Sequence, residues 1–129
     1  MTKRHPEQLT LDFSSQLAER LALLRSLERP LEGNTDWTPE RIAGVVELLQ
    51  RIAILSTDGT TSRARVATLG ARVHDRRSVS AKTINRWTRD AVSLGLLTVD
   101  VESRRRGGCR TNAWQLNWSQ IKAVVRHQS

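Results

Sequence analysis

The chain has 129 residues, 38% of them hydrophobic and 26% charged, with a formal net charge of +8. That length suits one domain, or one domain with an appendage, and is enough to bury a core. A single cysteine, Cys109, excludes an internal disulfide and a cysteine-based zinc site, and no apolar run approaches the roughly 18 residues of a membrane span. The expectation is a cytoplasmic protein away from membranes. No carboxylate pair, nucleophile–base set, phosphate-binding glycine loop or metal-ligand cluster stands out, so the chain reads as no enzyme and as needing no cofactor or metal.

The charge is concentrated. Residues 63–110 hold twelve Lys/Arg against Asp75, Asp90, Asp100 and Glu102, while nine cations and nine carboxylates cancel outside that stretch. A localised excess of this kind is the electrostatic footprint of a protein that meets a polyanion. Eighteen of the 21 cations are arginine, whose planar fork suits phosphate and guanine edges. A bias toward arginine codons explains arginine over lysine, but not the clustering.

In chain order, residues 1–13 are polar and predict a frayed start. Residues 14–27 carry Leu17, Leu21 and Leu24 at helical spacing, with Leu23 and Leu27 beside them. This helix either folds back on the domain or serves as a homodimerisation arm through Leu17 to Leu27. Pro30, Gly33 and Asn34 predict a linker over 29–37. The chain then divides into an N-terminal extension, 1–36, and a domain, 37–129.

Thr38 as cap, Pro39 in the first turn and Glu40 at the positive end of the dipole open a helix over 38–56. Its broad face of Ile42, Val45, Val46, Leu49, Ile52 and Ala53 predicts burial. Residues 57–62 read as a turn with room for one short strand. Val66, Leu69 and Val73 predict a second helix over 63–73, weakened by Gly70. Residues 74–79 read as a loop, in which His74 and Asp75 lack partners at ligand spacing.

Residues 80–94 form the next helix, with Ser80 as cap and Val79 stapled on Ile84. Ile84, Trp87, Ala91 and Leu94 face inward, while Lys82, Asn85, Arg86 and Arg89 face out. Gly95 ends the helix in the left-handed conformation. Arginine can fork to guanine O6 and N7, and asparagine can pair with adenine N6 and N7. Solvated helix faces usually mix charge signs, yet here Asp90 is the lone acid, four residues after Arg86 in the weaker order.

Leu97, Val99 and Val101 then alternate with Thr98, Asp100 and Glu102, and alternation resumes over 113–118 with Trp114, Leu116 and Trp118 on one side. Between the two strands, Gly107-Gly108 predicts a turn whose tip carries Arg104, Arg105, Arg106 and Arg110. Such a tip suits phosphates or the minor groove, and simple edge protection accounts less well for three consecutive arginines. The tryptophans read as core. A closing helix over 119–127 is capped by Ser119.

The run Ser80-x-Lys82-Thr83-Ile84-x-Arg86, Gly95-Leu96-Leu97 and the strand Thr111-Asn112-x-Trp114-x-Leu116-Asn117 resemble the winged helix-turn-helix family. The strand is especially similar to bacterial, plasmid and phage replication and regulatory proteins. The resemblance implies a mainly α fold with a small β-hairpin wing. Its three-helix core would span 38–56, 63–73 and 80–94, its wing 96–118, and an N-terminal helix would be added. The segment between the second and third helices is longer than the tight turn of simple members, and Trp87-Thr88 departs from the usual small residue and leucine.

The expected function is double-stranded DNA binding, with Lys82, Asn85, Arg86 and Arg89 in the major groove, Arg76 and Arg77 on the approach, and Arg104, Arg105, Arg106 and Arg110 on the wing. A transcriptional regulator is favoured. A DNA-binding component of a plasmid, phage or mobile-element replication system stays open, as does a winged-helix protein–protein adaptor.

Overall fold

A computed structural model describes residues 6–56, 58, 60–72, 76–102 and 111–126. The described chain is mostly helical, with one small antiparallel sheet. The first helix, α1 (Pro6–Arg25), begins earlier than the polar start of the chain predicts.

Residues expected to be a linker form a second helix, α2 (Glu28–Asn34). Pro30 lies in its first turn, where no intrahelical donor is needed, so it starts the helix and does not break it. Pro30 and Leu31 are buried, which gives the short helix its tertiary support. Thr35 then closes it, its N–H and hydroxyl both donating to the Leu31 carbonyl, at 3.0 and 2.6 Å.

The central element is α3 (Pro39–Leu55), where Thr38 Oγ1 accepts from Arg41 N–H at 3.3 Å as the cap. Ten of its seventeen residues are buried. That share exceeds a single stripe, because α1, α2, the two helices that follow and the sheet surround it.

Asp58 follows, its Oδ1 accepting from Thr60 and Thr61 N–H at 2.9 and 2.8 Å. These N–H groups, Thr61 first, hold the Asp58 carboxyl below its ordinary pKa. The turn delivers strand β1 (Thr61–Ser62).

The second predicted helix is shorter than expected: α4 spans Val66–Gly70. Residues 63–65 lie outside the helix, and the Ala64 carbonyl accepts from Trp114 Nε1 at 2.8 Å. At the far end the Val79 carbonyl sits 2.3 Å from where a Cβ on Gly70 would lie, and Val79 N–H donates to the Gly70 carbonyl. Gly70 thus marks where the chain passes itself closely.

Helix α5 (Ala81–Ser93) is capped as expected, Ser80 Oγ accepting from Thr83 N–H at 3.3 Å. Gly95 has φ +74°, Gly95 N–H donates to Val92 O at 3.0 Å, and Leu96 N–H to Ala91 O at 3.1 Å. This paired 5→2 and 6→1 closure is the Schellman termination.

Strands β2 (Leu97–Glu102) and β3 (Thr111–Leu116) form a hairpin in the register Leu97↔Leu116 and Val99↔Trp114. The sheet order is β1-β3-β2, so β3 is central and β1 adds a third strand. The tip with Arg104, Arg105, Arg106 and Arg110 lies outside the described residues.

The last helix, α6, spans Trp118–Arg126. Trp118 opens this helix and does not continue the strand, and the expected Ser119 cap is replaced by Asn117. Asn117 Oδ1 accepts from Gln120 N–H at 3.2 Å, while its amide donates to Gly95 O at 3.0 Å.

One core joins these elements. Leu24, Leu27 and Leu31 lie in it beside Leu49, Ile52, Leu69, Ile84, Leu96, Trp114, Leu116 and Ile121. The leucine stripe of α1 is thus turned inward: Leu24 and Leu27 are fully buried, and Leu17, Leu21 and Leu23 pack on the same core. The stripe folds back on the domain, the first of the two alternatives the sequence left open, and nothing among the described residues supports a homodimer through it. Gln50, itself buried, donates to the Leu21 carbonyl at 3.1 Å and pins α1 to α3.

Candidate nucleic-acid interface

The spacing of α5 separates its faces. Ile84 and Ala91 are fully buried, whereas Lys82, Asn85, Arg86 and Arg89 are exposed together. Trp87 is half-buried against α3, where a Cβ on Gly44 would lie 2.1 Å from the indole Nε1. Glycine at that position admits the indole and sets how closely α5 lies on α3.

Asp90 does not do what its spacing suggests. It is 6% exposed, and both its oxygens accept from Arg41 of α3, Oδ2 from Nε at 3.0 Å and Oδ1 from Nη2 at 2.8 Å. The only carboxylate of α5 is thereby withdrawn from the outer face. The Arg41 guanidinium lies 4.1 Å from the centre of the Trp37 ring, a stacked cation. Its hydrogen bond to Asp90 raises its pKa further above the ordinary arginine value.

Beside these residues a cleft of about 500 Å³ opens between the start of α3 and α5, lined by Glu40, Arg41, Arg86, Trp87, Arg89 and Asp90.

The approach to α5 is set by a second arginine of α3. Arg51 is 1% exposed and donates from Nη1 to the carbonyls of Leu69 and Ala71, at 2.7 and 3.0 Å, and from Nη2 to the carbonyl of Arg77. These three carbonyls bracket the segment before Ser80, so one buried fork holds both of its ends. Glu47 lies between two arginines, its carboxylate 3.7 Å from Arg51 Nε and ion-paired with Arg76. Arg51 Nε itself has no hydrogen-bond partner among the described residues.

The expected site residues therefore fall into groups. Lys82, Asn85, Arg86 and Arg89 share the outer face, and Arg86 with Arg89 also lines the cleft. Arg77 is exposed, with its main chain fixed by Arg51. Arg76 is half-buried and its charge is met by Glu47, so it leaves the set facing solvent. Arg104, Arg105, Arg106 and Arg110 lie outside the described residues.

Arg41 and Arg51 were missed by sequence reasoning. Arg51 did carry a signal, since it interrupts the apolar run Leu48-Leu49-Gln50-Arg51-Ile52-Ala53. Arg41 carried none, because its partner is 49 residues away.

Among the described residues no group of three His, Cys, Asp or Glu could hold a metal, and no helix is long and apolar enough to cross a membrane. Comparison of the chain with protein-family models, with curated proteins and with solved structures returned no match.

Proposed function

We propose that this chain is a winged helix-turn-helix protein that binds double-stranded DNA and acts as a transcription regulator. Helix α5 lies in the major groove, where Lys82, Asn85, Arg86 and Arg89 reach base edges and flanking phosphates. Helices α3, α4 and α5 correspond to the three-helix core and β2–β3 to the wing that the resemblance implies. The arginines of the wing tip enter on charge alone, as donors to the backbone or minor groove.

The observation that carries the reading is the placement of charge on α5. Its single carboxylate, Asp90, is buried in the Arg41 fork, and Lys82, Asn85, Arg86 and Arg89 stand exposed on one side. A face used only for solvation has no reason to be cleared of acid.

The test is selection of bound duplexes from a random pool at two salt concentrations. With ~5–7 phosphate contacts, the log–log dependence of affinity on salt has a slope of about −4.5 to −6. Arg86→Ala should relax specificity at one base step, at a cost of about 1–3 kcal/mol. Affinity that does not change with salt defeats the proposal.

A further inference from the structure

We propose that Arg41, outside the basic stretch of the sequence, is a backbone-phosphate donor, and that the cleft between α3 and α5 receives one phosphodiester of the DNA strand running beside α5. The inference rests on the DNA-binding reading above and adds a second element, α3, to the contact surface.

Guanidinium chemistry supplies the argument. Arginine has five N–H donors in two forks. Asp90 occupies the side-on fork, from Nε and Nη2, and the Arg41 guanidinium makes no other hydrogen bond among the described residues. The end-on fork, one N–H from each terminal nitrogen, is left over, and two parallel N–H groups match two oxygens of a phosphate.

The group is also held still. Asp90 fixes its edge and the Trp37 ring, 4.1 Å away, fixes its plane. Its side chain nevertheless stays 47% exposed, where a purely internal clamp for Asp90 would be covered. Little side-chain entropy is left to lose on binding, the gain expected of a pre-oriented donor.

Electrostatics in the cleft point the same way. Arg86 and Arg89 line the same cleft as Arg41, and Asp90 has both oxygens engaged. Glu40, exposed on the first turn of α3, is the opposing charge, and an incoming phosphate must approach it.

The experiment measures binding of the full chain to a selected duplex and to an unrelated duplex, with a thermal melt of each variant. Arg41→Gln combined with Asp90→Asn keeps a hydrogen-bonding pair between α3 and α5 and leaves the net charge unchanged. It should weaken binding to both duplexes by about ten-fold, the loss of one charge-assisted fork. Glu40→Gln leaves the Arg41–Asp90 pair intact and should tighten both by about two- to five-fold. Inorganic phosphate should compete no better than sulfate at equal ionic strength.

Wild-type affinity in the folded double variant overturns the inference, while sensitivity to Arg86→Ala in the same assay keeps the DNA-binding reading standing. If the double variant does not fold, Glu40→Gln decides, and unchanged affinity there overturns the inference too. Specific competition by phosphate assigns the cleft to a free anion and also overturns it. A wild-type chain that binds no duplex at any salt concentration removes both readings.

Discussion

Two arginines of α3 do opposite work with the same side chain. Arg41 is half exposed and holds a carboxylate across a helix interface, whereas Arg51 is buried and its terminal nitrogens go entirely to main-chain carbonyls. The second arrangement is the more demanding one. A buried cation is costly unless every donor is met, and here Nε is met only by the Glu47 charge at 3.7 Å. Arg51→Met removes the cation and leaves the carbonyls of Leu69, Ala71 and Arg77 unpaired. It should lower unfolding free energy by about 3–5 kcal/mol in urea denaturation, the cost of breaking a buried network from one side. Arg51→Lys should not restore it, because an ammonium cannot present the planar fork that spans three carbonyls. Equal stability of wild type and Arg51→Met would show that the fork holds nothing.

At the scale of elements, the aim of α5 comes from its neighbours as much as from its own residues. Ser80 and Gly95 set its ends, but its separation from α3 is set by Gly44 under Trp87, and its approach by the Arg51 fork. Gly44→Ala gains helix propensity, by about 1 kcal/mol, and loses the space the indole occupies. With the new Cβ 2.1 Å from Nε1, the second effect wins, and α5 must move away or Trp87 must change rotamer. The expected outcome is a net destabilisation of about 1–3 kcal/mol, accompanied by a change in tryptophan fluorescence. A more stable Gly44→Ala variant with an unchanged spectrum would place the indole elsewhere. Legibility at this scale was uneven. The caps at Thr38 and Ser80, the Gly95 termination and the two faces of α5 could be read from neighbouring residues, whereas the Ser119 cap could not. The α2 helix could not, because Pro30, Gly33 and Asn34 suggest a linker until the burial of Pro30 and Leu31 is known.

At the scale of the whole molecule, the N-terminal stretch and the chain from residue 37 onward share one core. Leu24, Leu27 and Leu31 are almost completely buried beside residues of α3 and α6. Full burial of three leucines contributes about 5–9 kcal/mol, comparable to the entire stability of an ordinary domain. A chain beginning at residue 37 should therefore fail to fold cooperatively, as measured by the loss of a sharp thermal transition and by dye binding to exposed apolar surface. A truncated chain that melts like the full one would make α1 and α2 an appendage after all. The candidate site likewise joins two elements, since α5 presents its arginines while α3 clears Asp90 away from them.

What the sequence determined by itself is whatever acts over a few residues: the caps at Thr38 and Ser80, the left-handed Gly95, the alternation of the hairpin, and the outward set Lys82, Asn85, Arg86 and Arg89. It also determined where the net charge sits, because that is a count along the chain. Only the tertiary structure decided that the leucine stripe of α1 turns inward, that Arg76 pairs with Glu47, and that Asp90 belongs to Arg41. The physical reason is the range of the interactions. A cap is satisfied within one turn of helix, whereas Arg41 and Asp90 are 49 residues apart and meet only after α3 and α5 have packed.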